Sequence, residues 1–221
     1  MDQVKFYFDP RCPWCYQTSR WAKQLERLGQ IELDWGVFSL EVVNLEEGKD
    51  PLELVERGSP ALRTAVAIAD GHGSRAIGPF YTALGKRNFE QARPPEDAVT
   101  AVRDSLEEAG LDAALCDKAL ADPGTWQRVV DETVTIIDRI GRLGVPTIVL
   151  DGDGGPTMFG PVISELPTDD DAVELWRHTS WLVRYANFGE LKRTRQPIDE
   201  LPVLRWYAEQ RAAKAREAAK S

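Results

Sequence analysis

Val4, Phe6 and Phe8 fall on one face of an alternating stretch at the start of the chain, a period of two that predicts a strand. The period then lengthens. Trp14, Trp21, Leu25 and Leu28 recur near one side of a helix, after which Ile31, Leu33, Trp35 and Val37 alternate with Glu32, Asp34 and Gly36 and the run continues to Leu40. Strand, helix and strand form one βαβ unit, whose two strands are expected to be parallel and joined by a right-handed crossover.

From about Glu41 to Gly124 the pattern contains no strand signal. Ser59-Pro60 reads as an N-cap and first-turn proline opening a helix to Gly71. Further helices are predicted over about 74–87, bent near Gly78-Pro79, over 95–109 and over 112–121. A longer helix is expected over 125–140, where Val129, Val130, Thr133, Ile136, Ile137 and Ile140 make a broad apolar face suited to a sheet. Val145 to Leu150 then reads as a buried strand opened by Pro146, Asp151 to Gly155 as a glycine-rich hairpin turn and Thr157 to Phe159 as the return strand. The last helix of this part is placed over 169–186, with Asp169, Asp170 and Asp171 at its positive end and Leu175, Trp176, Thr179, Leu182, Val183 and Ala186 facing inward. In the tail, Leu204, Tyr207 and Ala208 are able to pack, whereas Arg211 to Lys220 has no apolar face.

Between the first strand and the first helix stands Asp9-Pro10-Arg11-Cys12-Pro13-Trp14-Cys15. A cysteine at the start of a helix meets backbone N–H groups that lack partners, and that positive end favours thiolate over thiol, so Cys12 is the expected nucleophile. Pro13 suits the first helical position because its ring already sets a helical φ. Cys15 lies one turn deeper, placed to attack a mixed disulfide on Cys12 and resolve it. Arg11 adds a cation beside the sulfur. A strand feeding a CxxC that opens a helix, followed later by helix, proline, strand, hairpin and strand, defines the fold class expected here: α/β, a thioredoxin-like fold with an inserted all-helical domain. Residues 1–40 and 125–195 form the thioredoxin-like part, 41–124 the insertion and 196–221 a helical tail. In such a fold Pro146 is cis and lies against the CxxC, leaving Val145 extended to pair with a substrate backbone or to place a small ligand beside the sulfur.

Other uses of two cysteines are set against this. A zinc site needs further ligands, but the third cysteine, Cys116, is isolated and the two histidines, His72 and His178, are far apart, so no metal is expected. Ordinary buried thiols are the plain alternative, and the reading favoured for Cys116. A net charge of −9 argues against nucleic acid or an anionic membrane as partner. No stretch approaches the roughly 20 apolar residues of a membrane helix. Met1 to Lys5 carries no basic start or apolar run, which points to the cytoplasm, where a CxxC rests reduced.

The chain resembles the DsbA-like branch of the thioredoxin superfamily, and more closely the actinobacterial mycothiol-dependent nitroreductases. The resemblance rests on Phe8-Asp9-Pro10 before CPWC, Thr18-Ser19-Arg20-Trp21, Ser39-Leu40 with Asn44, His72-Gly73, Pro79, Tyr81 to Gly85, Arg87, Phe159-Gly160-Pro161-Val162, Pro167 and Glu190 to Arg195. It implies mycothiol as the reductant, at times through a mycoredoxin, no tightly bound cofactor, and electron transfer from the thiols to small acceptors including nitroaromatics. Tyr16 and Val145 depart from the tryptophan and threonine common in the group, as does the loop after Asn44. Relatives of the glutathione-transferase-kappa-like and isomerase type usually carry serine at the position of Cys12, so the pair present here favours redox exchange.

The expectation is therefore a cytoplasmic thiol–disulfide oxidoreductase with Cys12 and Cys15 as catalytic thiols and Pro13, Trp14, Val145 and Pro146 as active-site support. Trp14 would wall the sulfur and stack on an aromatic acceptor, while Asn44, Tyr81 and Trp21 are candidates for binding it. Two alternatives stay open: a redox-switched binding or sensor protein without turnover, and a thiol-dependent isomerase or transferase. The patch Lys192, Arg193 and Arg195 either binds an anionic group or is simply solvated.

Overall fold

The computed structural model describes residues 1–54 and 59–218, so the predicted end of the tail at 219–221 and four residues of the insertion lie outside it. The strand order is β2-β1-β3-β4. β1 (Asp2–Phe8) runs parallel to β2 (Ile31–Val37), in register from Asp2 opposite Ile31 to Phe8 opposite Val37, with α1 (Pro13–Arg27) between them in the chain. On its other side β1 meets β3 (Thr147–Leu150) antiparallel, Val4 opposite Leu150, and β3 turns back into β4 (Thr157–Phe159). Central β1 is thus hydrogen-bonded on both edges. Its C-terminal end delivers the chain into the CxxC loop. Together these elements make the thioredoxin-type sheet that the two halves of the sequence pattern predicted.

Between β2 and the second half of the sheet come α2 (Leu40–Val43), a 3₁₀ turn at Pro51–Leu54, α3 (Pro60–His72), a second 3₁₀ turn at Ser74–Ala76, α4 (Ile77–Phe89), α5 (Ala98–Glu108) and α6 (Ala114–Ala121). Helix ends follow local capping chemistry. Ser59 accepts a hydrogen bond from Leu62 N at 3.4 Å, capping α3 as expected. α5 begins at Ala98 rather than at Pro95, because Asp97 is extended and its carboxylate accepts from Thr100 N at 2.7 Å. α7 (Pro123–Ile140) begins two residues early for a similar reason, with Asp122 as cap and Pro123 at the first position. The four-residue α2, too short to show a period, is set by Ser39, whose hydroxyl accepts from Val42 N.

The helices share one continuous apolar core with the sheet. Tyr81 of α4 stacks on Phe8 with centroids 4.0 Å apart, and Trp35 of β2 meets Phe6, Phe8 and Tyr81 edge-on. Gly78 is required under Trp35, because a Cβ there would lie 2.8 Å from the indole nitrogen. Large side chains of this kind each contribute about 1.5–3 kcal/mol by leaving water.

α8 (Asp169–Arg184) covers α1, with Trp176 against Trp21. It is capped by Thr168, and it ends before Ala186, which is exposed rather than inward-facing. A segment without regular structure leads on to α9 (Val203–Ala218). The packing here matches the expectation in part: Leu204 lies against the core and Ile198, Leu201 and Val203 are buried, whereas Ala208 is exposed and Tyr207 touches the protein only at the rim of a cleft, because the chain is tied down before α9 starts. Among the described residues no helix is long and apolar enough to cross a membrane.

Candidate active site

The loop between β1 and α1 is built by Asp9. Its carbonyl accepts from Cys12 N at 3.0 Å, and its carboxylate accepts from Arg11 N at 2.8 Å and from Leu40 N at 2.7 Å. One side chain therefore closes the turn and fastens it to α2. Cys12 caps α1 with extended backbone, and its sulfur accepts from Cys15 N at 3.3 Å. As a thiol it donates to Val145 O at 3.8 Å.

The peptide bonds Val145–Pro146 and Gly160–Pro161 are both cis. Through its carbonyl, Val145 is a contact between the loop before β3 and the Cys12 sulfur. Thr147, directly after the proline, donates its hydroxyl to Gly144 O at 2.8 Å and holds the loop. Thr18 on α1 donates to Pro161 O at 3.2 Å. Helix α1 is in this way bonded to the second proline loop.

The two thiols are driven apart in acidity. Cys12 is held below the ordinary thiol value by the hydrogen bond from the Cys15 thiol, outweighing burial, with help from the N–H groups of Cys15 and Trp14. Burial pushes Cys15 well up, and its bond to Cys12 adds to the effect. Cys12 is 7 % exposed and Cys15 is wholly buried, so only Cys12 is reachable from solvent. Both are free thiols. Arg11, expected to favour the thiolate, is turned to carboxylates instead, 2.8 Å from Glu41 and 3.7 Å from Asp9.

Trp14 is partly buried and packed against the core beside the pair. Tyr81 lies behind the cysteines with no exposure, near enough to feel charge on Cys15, Cys12 and Asp9. Among the described residues its hydroxyl has no hydrogen-bond partner. The structure therefore puts Tyr81 in the buried wall and not on an open binding surface. Trp21 is likewise a core residue, 2 % exposed, its indole donating to Ala172 O at 3.3 Å. Asn44 is exposed, and its amide donates to Leu40 O at 2.7 Å at the end of α2.

Sequence reasoning gave no role to Asp9, whose carboxyl is fully buried and pushed up by that burial. It sits at the end of an apolar strand, where periodicity says nothing about polar partners. Tyr16 is packed against Phe89 and donates to Glu90 at 2.7 Å. Gly85 makes that possible, since a Cβ there would come within 2.1 Å of the Tyr16 ring. Next to Pro10 and Arg11 an apolar cleft of about 380 Å³ opens, lined also by Leu84, Phe89, Pro95 and Tyr207. Among the described residues no cluster of His, Cys, Asp and Glu is arranged to hold a metal ion.

A parallel–antiparallel sheet, a CxxC capping the first helix and a cis proline loop against it define a thioredoxin-fold protein of the DsbA-like type. The model for the Rv2466c-like mycothiol-dependent nitroreductases matches residues 11–193, and the chain belongs to that family. Over 208 residues it is 33 % identical to the uncharacterized protein Rv2286c of Mycobacterium tuberculosis, covering 90 % of this chain and 85 % of that one. Among solved structures it is similar in fold to the cytosolic disulfide reductase DsbM of Pseudomonas aeruginosa, with TM-score 0.56, 15 % identity and coverage of 81 % and 99 %. It is also similar to the probable DsbA oxidoreductase SCO1869 of Streptomyces coelicolor, with TM-score 0.53, 18 % identity and coverage of 88 % and 94 %.

Proposed function

We propose that the protein is a cytoplasmic thiol–disulfide oxidoreductase that takes electrons from mycothiol and passes them through Cys12 and Cys15 to small electrophilic or nitroaromatic acceptors. The observation that carries this reading is the division between the two thiols: Cys12 reachable and acidic at the helix cap, Cys15 buried and weakly acidic behind it. Family membership supports the choice of thiol.

With a disulfide acceptor the Cys12 thiolate attacks one sulfur, forming a mixed disulfide and releasing one thiolate. Cys15 then loses its proton and attacks the Cys12 sulfur, closing the Cys12–Cys15 disulfide and releasing the second thiolate. Two electrons have moved to the acceptor. Two mycothiols, directly or through a mycoredoxin-like protein, restore the dithiol and leave as mycothiol disulfide. With a nitroaromatic the same two electrons and two protons carry the nitro group to nitroso with loss of water. The apolar cleft beside Pro10 and Arg11 offers such a ring a low-polarity surface next to the thiol loop. Trp14, Val145 and Pro146 are its positioning partners at the sulfur. Tyr81 serves from the buried side.

The test is acceptor-dependent formation of mycothiol disulfide by the reduced protein, with glutathione run in parallel. Turnover with mycothiol that is lost in Cys12→Ser, together with a trapped mixed disulfide in Cys15→Ser, is the expected result. Full turnover in Cys12→Ser overturns the assignment, and full turnover in Cys15→Ser points instead to isomerase or transferase chemistry.

A further inference from the structure

The segment between α8 and α9 crosses back over α1. Glu200 is its anchor, accepting from Gln17 Nε2 at 3.0 Å and from Arg20 at 2.7 Å, while Ile198, Leu201 and Val203 are buried on either side. Gln17 is itself wholly buried, so this is a fixed attachment rather than a passing surface contact. Five residues before Glu200, the Arg195 guanidinium lies over the ring of Trp14, 5.3 Å from its centroid. Trp14 lies between the two cysteines, directly before Cys15, and its N–H supports the Cys12 sulfur.

Charge pairing sets Arg195 apart. The other cations next to the dithiol are matched: Arg11 by Glu41 and Asp9, Arg20 by Glu200. Among the described residues Arg195 forms no ion pair, nor do Lys192 and Arg193 on the same segment. In a chain of net charge −9, a cation left without a carboxylate and held on the indole of the CxxC is against the overall trend. Among the described residues its guanidinium donates no hydrogen bond, so its N–H groups face outward beside the indole for an outside acceptor.

We propose that Arg195, presented by the 195–203 strap on Trp14, is a specificity residue that selects aromatic acceptors carrying an anionic group. This rests on the thiol–disulfide reading above. An aromatic ring approaching Cys12 along the indole brings a carboxylate or sulfonate substituent to the guanidinium. Attack by the Cys12 thiolate then forms the Cys12–S–aryl disulfide and expels an aryl thiolate, an anion leaving beside a fixed cation. The strap thereby gives the C-terminal part of the chain a place in acceptor choice, outside the residue span matched by the family model.

Two aromatic disulfides that differ in charge test this on the pre-reduced protein without added reductant: 5,5′-dithiobis(2-nitrobenzoate), a dianion, and 4,4′-dithiodipyridine, which is neutral. Stopped-flow absorbance gives the second-order rate for each, and the readout is their ratio. Arg195→Gln is expected to lower the anionic-to-neutral ratio about fivefold, in line with one exposed charge contact, and 0.5 M salt to lower the wild-type ratio toward the variant's. Arg195→Lys, which keeps the charge and loses the planar edge, should restore part of it. Arg216→Gln removes the same charge from the last turn of α9 and should leave the ratio unchanged. An unchanged ratio in Arg195→Gln, or an equal fall in Arg216→Gln, overturns the proposal. If the wild-type dithiol reduces neither disulfide, the thiol–disulfide reading itself has failed.

Discussion

The amide nitrogen of Cys15 points at the sulfur of Cys12 from 3.3 Å, so in the proposed cycle Cys15 also stabilises the sulfur that it later attacks. A charge on Cys12 is met by N–H groups of the first helical turn and by the Cys15 thiol.

The pH dependence of alkylation follows from this. Iodoacetamide should label Cys12 with a midpoint below that of a free thiol, and mass spectrometry should find Cys15 unlabelled until the protein is denatured. The sign is fixed by the shifts: Cys12 reactivity is retained as pH falls below the ordinary thiol value, whereas Cys15 stays protonated well above it. Equal labelling of both cysteines at neutral pH would contradict the site geometry.

The Asp9 carboxylate works against the acidity of Cys12, since a buried carboxylate disfavours a nearby thiolate. Asp9→Asn removes that charge while keeping one oxygen for the loop N–H groups. The alkylation midpoint of Cys12 should move further down. A midpoint that stays in place would mean Asp9 only builds the turn.

Two tyrosines in the wall should respond differently to losing their hydroxyls. Tyr81→Phe deletes a buried group that has no partner, so the melting temperature should hold or rise. Tyr16→Phe deletes the donor to Glu90 and should cost about 1 kcal/mol in chemical denaturation.

Arg63 ties the last turn of α6 to the start of α7. From a side chain on α3 that is 4 % exposed, it donates to Ala119 O, Leu120 O, Asp122 O and Thr125 Oγ1. Arg63→Met leaves these acceptors buried without that donor and should destabilise by about 3 kcal/mol, measured by urea denaturation. Thiol reactivity at Cys12 should survive in the fraction that stays folded, because α3 and α6 make none of the bonds that hold the CxxC loop.

Cys12, Pro13 and Cys15 were readable in the chain because their arrangement is local: a cap, a first-turn proline and a residue one turn on. The same holds for Ser59 and Pro60 at α3 and for the alternating strands, whose period reports a buried face directly. Pro146 came from the order of elements around it. Of the candidates for acceptor binding, Trp21, the one read as more at home in the core, and Tyr81 lie in the core, and Asn44 lies at a helix end. An aromatic at a matching spacing shows that a face is buried, and nothing in the spacing says whether a ligand or another helix covers it.

What the sequence by itself determined is thus the place of the two cysteines at the start of α1 and the sheet that carries them, since both follow from contacts within a few residues or from a repeating period. Only the tertiary structure decided the surroundings of the dithiol. Val145 reaches Cys12 across 133 positions of chain, Glu200 reaches Gln17 across 183, and Arg195 comes to rest on Trp14. Such contacts depend on how packed elements bring distant segments together, and a one-dimensional pattern of apolar and polar positions fixes which faces are buried without fixing what they meet.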